Sequence, residues 1–231
     1  MLSALEKKVA FCGDVYWRNP ETKEEYARVV AGVQFPGKKP GFAVVLGETE
    51  IRDPASQSRN YYILAELEDA GLQSFIERCH EAAGLYACAD WYGDPADRVA
   101  QEFLYEFNRQ LQEKRQRGFY LSRPPLFGEK AQFEYCCQTI FKHVRAGRKT
   151  LHFGPASKLP GFLLEFGQEQ IRSGKPEDFP AIAALGFALT ALDTWPARGP
   201  APQARNAVDY DPFDSSSWDR QRSDYDIFNR Q

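Results

Sequence analysis

The sequence predicts an α/β domain with a mixed sheet covered by helices, and three observations predict it. Hydrophobic residues fill 43% of the 231 positions, enough for a sizeable core without disulfide staples. Three runs rich in β-branched and aromatic residues follow one another through short turn-type connections. Beyond the third run the apolar spacing becomes helical, and helix-like and strand-like segments then alternate.

The three runs are Arg28 to Phe35, Phe42 to Gly47 and Tyr61 to Leu67, separated by PGKKPG and RDPASQSRN. Connections this short predict an antiparallel meander. Leu72, Phe75, Ile76 and Cys79 then share a helical face, and Gly84 is expected to end that helix. Leu85 to Ala89 reads as a short strand that ends at Asp90. Asp94 as N-cap and Pro95 at the first turn open the next helix, with Val99, Phe103, Phe107 and Leu111 facing inward. Phe119 to Leu121 is an expected strand, stopped by Pro124 and Pro125. Further helices are expected near Glu129 to Arg145, around Leu159 to Phe166, and through Ile182, Leu185, Leu189 and Leu192, with a short strand at Thr150 to Phe153. Parallel strands need crossovers of such length, so the meander is expected to gain parallel neighbours.

Two flanking segments differ in character. Residues 1–27 are expected to form a helical lead-in, because Leu2, Leu5, Val9 and Cys12 are helix-spaced and Pro20–Glu21 reads as a second start. Residues 196–231 alternate acids with lone aromatics and have no amphipathic period, which predicts a flexible tail. Its Tyr210, Phe213, Trp218, Tyr225, Ile227 and Phe228 could anchor on a partner. Residues 28–195 form the expected central domain.

Composition narrows the function. The formal net charge is −3, so any nucleic-acid contact must be local. The five cysteines match neither a disulfide framework nor a zinc site and read as reduced core residues. No apolar run is long enough to span a membrane and the first residues lack a signal-peptide stretch, so the expected location is the cytoplasm. His80, His143 and His152 have no metal-ligand spacing, and neither a GxSxG elbow nor a GxxxxGK[ST] phosphate loop occurs.

Several phrases, in order, resemble the RNase H-like nuclease domain of phage terminase large subunits. VVAGVQFPG is similar to that family's first strand, YYILAELE to its third, and YACADWYGDPADR to its fourth, which ends in an acid. TLHFGPASKLPGFLLEF resembles a late strand and helix, and KPEDFPAIAALGFALTAL resembles the closing acid and small-residue helix. The resemblance covers roughly residues 28–195 and lacks the ATPase half. It implies an RNase H-like mixed sheet and a DNA endonuclease in which two Mg²⁺ or Mn²⁺ ions about 4 Å apart clamp the reacting phosphodiester. Carried over by position, the ligands are Gln34, Asp90 and Asp178, with Asp90 and Asp178 as the metal-binding acids.

Gln34 stands where the family has Asp, and a carboxamide supplies no charge. Glu48, Glu66, Glu68 and Asp94 are the acids that could substitute, and Glu177 competes with Asp178. The resemblance further implies double-stranded DNA as partner, and a separate packaging ATPase or portal protein reached through the tail, in the host cytoplasm for a phage-encoded chain. Phosphate contacts are expected from Lys114, Arg115, Arg117 and Arg123, and from Lys142, Arg145, Arg148 and Lys149, with Lys38 and Lys39 at a hairpin tip as a third group. The alternative is a non-catalytic RNase H-like module that binds DNA or a packaging partner. A resolvase or exonuclease of the same fold is the third reading.

Overall fold

The computed structural model describes residues 4–9, 15–49, 59–88, 90–93, 98–122, 129–145, 150–167 and 174–194. The expected tail, the N-cap Asp94 with Pro95, and Arg123, Arg148 and Lys149 lie outside them. The strands are β1 (Glu6–Val9), β2 (Val15–Arg18), β3 (Glu25–Gln34), β4 (Gly41–Thr49), β5 (Tyr61–Asp69), β6 (Asp90–Gly93), β7 (Leu121–Ser122) and β8 (Leu151–His152). The helices are α1 (Leu72–Leu85), α2 (Arg98–Glu113), α3 (Glu129–Arg145), α4 (Leu159–Glu165) and α5 (Pro180–Thr194), and a 3-10 turn at Pro176–Asp178 leads into α5.

The meander forms as expected: β3 pairs antiparallel with β4, and β4 with β5. Parallel partners join both sides, β6 along β3, β7 along β6, and β8 along β5. The central order is therefore β5-β4-β3-β6-β7, with β4 alone running against the others. The chain is thus an α/β domain with a mixed sheet flanked by helices. Both faces of the sheet are covered, which is why β4 is buried from Gly41 to Glu48 rather than alternating. On one face Val30, Phe42, Val44 and Leu46 pack against α3, α4 and α5; on the other Val29, Ala31, Val33 and Val45 pack against α1 and α2. Among the described residues no helix is long and apolar enough to cross a membrane.

The closest approach is between α5 and β3. A Cβ on Gly32 would lie 1.9 Å from the Ala184 carbonyl oxygen and 2.8 Å from the Ala188 nitrogen. Glycine is therefore the residue that lets the helix backbone rest on the strand. The small side chains of α5, Ala181, Ala183, Ala184 and Ala188, all buried, serve the same approach.

Three expectations are corrected. The lead-in is not helical: β1 and β2 form an antiparallel hairpin, and β2 pairs with the first residues of β3, which extends that strand back to Glu25. Tyr16 and Trp17 are strand formers. Pro20–Glu21 starts no helix; the Asn19 side chain accepts hydrogen bonds from the Glu21 and Thr22 amides and holds a turn.

The helix expected to stop at Gly84 continues through Leu85 and closes with Ala87 at φ 48° and the Cys88 amide bonded to the Ala83 carbonyl. Residues 85–88 are therefore helix end and turn, and the strand begins at Asp90 instead of ending there. In α2 the buried side chains are Ala100, Leu104 and Leu111, whereas Val99 and Phe103 are exposed and Phe107 is half-buried.

Candidate functional site

Of the sequence-predicted ligands, two fall at the C-terminal end of β3 and the third lies level with its middle. At its C-terminal end Gln34 sits opposite Phe42, and Phe42 sits opposite Glu68, so this row shares the face covered by α5. The Gln34 Oε1 is buried and has no hydrogen-bond partner among the described residues. Asp178 arrives at the same end, in the turn before α5. There the Lys39 ammonium donates to the Asp178 carbonyl oxygen at 2.7 Å and stands 5.4 Å from the centre of the Phe179 ring.

Glu66 and Glu68 lie on this face of β5, and both are engaged. Glu66 accepts from the Ser157 hydroxyl and from the Lys158 amide at 2.9 Å; Glu68 accepts from the Lys158 ammonium at 2.7 Å. A cavity of about 260 Å³ opens between this row and the turn before α5.

Asp90 is elsewhere. It opens β6 level with Val30, four residues before Gln34, or about 13 Å along the strand. The structure therefore brings Gln34 and Asp178 to one end of the sheet and leaves Asp90 level with the middle of β3. Asp90 thus does not share a cross-strand row with Gln34, the residue level with the turn that carries Asp178. Among the described residues no group of three His, Cys, Asp or Glu side chains is placed to hold a metal ion.

The expected basic groups do not merge either. Lys114, Arg115 and Arg117 are exposed at the C-terminal end of α2, on one face of the sheet. Lys142 and Arg145 belong to α3, on the other face. Lys142 is bound to Asp193 at 2.9 Å.

The opposite end of the sheet holds a polar cluster that the sequence pattern conceals. Glu48 is 1% exposed, faces Arg28 across β3, and binds the Arg59 guanidinium at 2.9 Å. Its Oε2 is buried without a partner among the described residues. Burial pushes the Glu48 carboxyl up, against the pull of Arg59 and Arg28. Beside it the Tyr61 hydroxyl donates to Asp193 Oδ1 at 3.3 Å, and His143 Nε2 meets the same oxygen at 3.2 Å. His143 Nδ1 lies 3.0 Å from the Thr150 hydroxyl. The cluster ties the ends of α3 and α5 to the start of β5. One apolar run ending in an acid, FAVVLGE, was its sole sequence signal.

Burial raises the Asp193 carboxyl, but hydrogen bonds from His143 and Lys142 outweigh it and hold the group at about 2. A depressed value means that its contribution is complete above pH 3.8, the unfolded reference, and is lost as pH falls toward about 2. Asp193→Asn is therefore expected to remove about 2 kcal/mol of pH-dependent stability across that window. Urea unfolding of both proteins over the acid range checks it, the variant giving the flatter profile.

Comparison with known proteins brings out no match: no family model, no curated protein and no solved structure matches the chain.

Proposed function

We propose that this chain is an RNase H-like module of phage DNA-packaging machinery in which the two-metal centre has been dismantled, and that it works by docking on a protein partner. Support for the fold comes from the element order β-β-β-α-β-α-β-α, followed from β3 to α3, and from the central strand order with β4 alone reversed.

The observation that carries the loss of the metal centre is the donor set at the end of β3. Mg²⁺ takes oxygen ligands and is held by carboxylate charge. Here Gln34 is neutral with an orphaned carbonyl oxygen, and α5 presents no carboxylate between Pro180 and Leu192. Glu66 and Glu68 already serve Ser157 and Lys158. These residues do not fit a two-metal site. The separation of the basic groups onto opposite faces favours a protein partner over a DNA duplex.

A second reading, an active nuclease, is favoured by one observation. Strand β6 runs parallel to β3 and ends at Gly93 beside Val33, and the acid next in sequence is Asp94. Asp94 is outside the described residues. Plasmid DNA incubated with the full chain and Mn²⁺ separates the readings. We expect no nicking above the buffer control. Nicking that is abolished by Asp178→Asn and Asp94→Asn but kept by Asp90→Asn would establish the second reading.

A further inference from the structure

We propose that the 260 Å³ cavity beside the β3–β4 hairpin binds an organic cation, the head of a lysine or arginine side chain carried by a basic segment of the docking partner. The inference rests on the reading that this end of the sheet is not a metal centre.

Three observations carry it. The first is the chemistry of the walls. Phe42, Phe162, Phe166 and Phe179 line the cavity, with Phe42 edge-on to Phe162 at 5.7 Å and Phe166 edge-on to Phe179 at 4.9 Å. Ring faces carry negative potential that attracts cations, most strongly where water is displaced. Glu68, Glu165 and Asp178 also line the cavity; among the described residues Lys39 is the one basic lining residue, and Lys158 pairs with Glu68 from outside it, which leaves one net negative charge. The remaining negative charge and the ring faces together favour a cationic guest over a neutral or anionic one.

The second observation is size. Pockets for drug-sized ligands begin at about 300 Å³. A 260 Å³ space suits one side-chain head.

The third is that the chain already offers a cation there. Lys39, from the exposed hairpin tip, places its ammonium 5.4 Å from the Phe179 ring centre and bonds the Asp178 carbonyl. It is an intramolecular occupant on a flexible stem, and a guest cation competes with it. Aromatic walls do not suit a hydrated divalent ion, which takes oxygen ligands.

The test uses the full, ¹⁵N-labelled chain titrated with N-acetyl-arginine amide, with N-acetyl-citrulline amide as the neutral isostere. The expected result is saturable amide shifts confined to the neighbourhood of Phe42, Phe162, Phe179 and Ile182 with the arginine probe and not with citrulline. Lys39→Ala removes the competitor and is expected to tighten binding about two- to fivefold. Phe179→Leu keeps an apolar wall but loses the ring, and is expected to weaken it by about the same factor. Thermal unfolding confirms that each variant is folded. The proposal is overturned by absent or non-saturable shifts in both the wild type and Lys39→Ala, by an equal response to citrulline, or by a Lys39→Ala affinity that is unchanged or weaker. Mn²⁺ added alone discriminates the failures: saturable broadening at these same amides sinks the dismantled-centre reading, whatever the arginine probe does.

Discussion

Gly32→Ala is expected to destabilise the protein by about 3 kcal/mol or more, the upper end of what overpacking costs. The added carbon would meet the Ala184 carbonyl oxygen at 1.9 Å and the Ala188 nitrogen at 2.8 Å. Both are backbone atoms in the middle of α5, so no rotamer change relieves the clash. The helix must lift from β3, and it takes with it the layer in which Leu185, Leu189 and Leu192 are fully buried. Urea unfolding measures the loss. Gly84→Ala is the control: its added carbon meets nothing within 4 Å inside α1, and a helix-interior alanine is favoured over glycine by roughly 0.5–1 kcal/mol. The two single-methyl changes should therefore move stability in opposite directions.

Arg59→Ala is expected to cost up to about 3 kcal/mol near neutral pH, because it removes the hydrogen-bonded partner of a buried carboxylate and leaves Arg28 as the cation facing it. The Glu48 side chain is 2% exposed and that of Arg59 26%, so solvent screens the pair only weakly. The pH dependence has a definite sign. Burial raises Glu48 above its unfolded value, so the favourable contribution of its neutral form is present in acid and lost as pH rises through the folded value. Removing Arg59 raises that value further. The penalty of the variant should thus be largest at neutral and alkaline pH and should shrink in acid. Adding Glu48→Gln to Arg59→Ala should recover much of the loss at neutral pH, since an amide carries no charge to strand. A penalty independent of pH would mean that Arg59 acts through packing of its stem instead.

The elements legible in the sequence were those whose local pattern and tertiary role agree. The β3–β4–β5 meander, α3 and α5 could be read because β-branched runs and helical apolar spacing coincide there with what the core buries. The lead-in is not legible in its local pattern, because Leu5 and Val9 are spaced as on a helix while pairing with β2 decides the outcome. The place of Asp90 is not legible either, because LYACA has strand composition, yet Leu85 still completes α1 and the turn after it consumes the next residues. A shift of a few residues there moves the acid from the end of a strand to its start, and no local signal reports register.

For the site, the substitution at Gln34 was visible in one residue. The engagement of Glu66, Glu68 and Lys158 was not, because those contacts join residues about ninety positions apart. The aromatic cavity was equally hidden: Phe42, Phe162, Phe166 and Phe179 read individually as core residues, and only the packing of α4 and the turn before α5 against β4 brings them around one space.

The most direct measurement of the central claim is a calorimetric titration of the full chain with Mn²⁺ at low ionic strength. A donor set with neutral Gln34, engaged Glu66 and Glu68, and an apolar α5 should give no saturable heat. Saturable uptake of two ions per chain, lost on Asp178→Asn, would contradict it and return the end of β3 to metal chemistry.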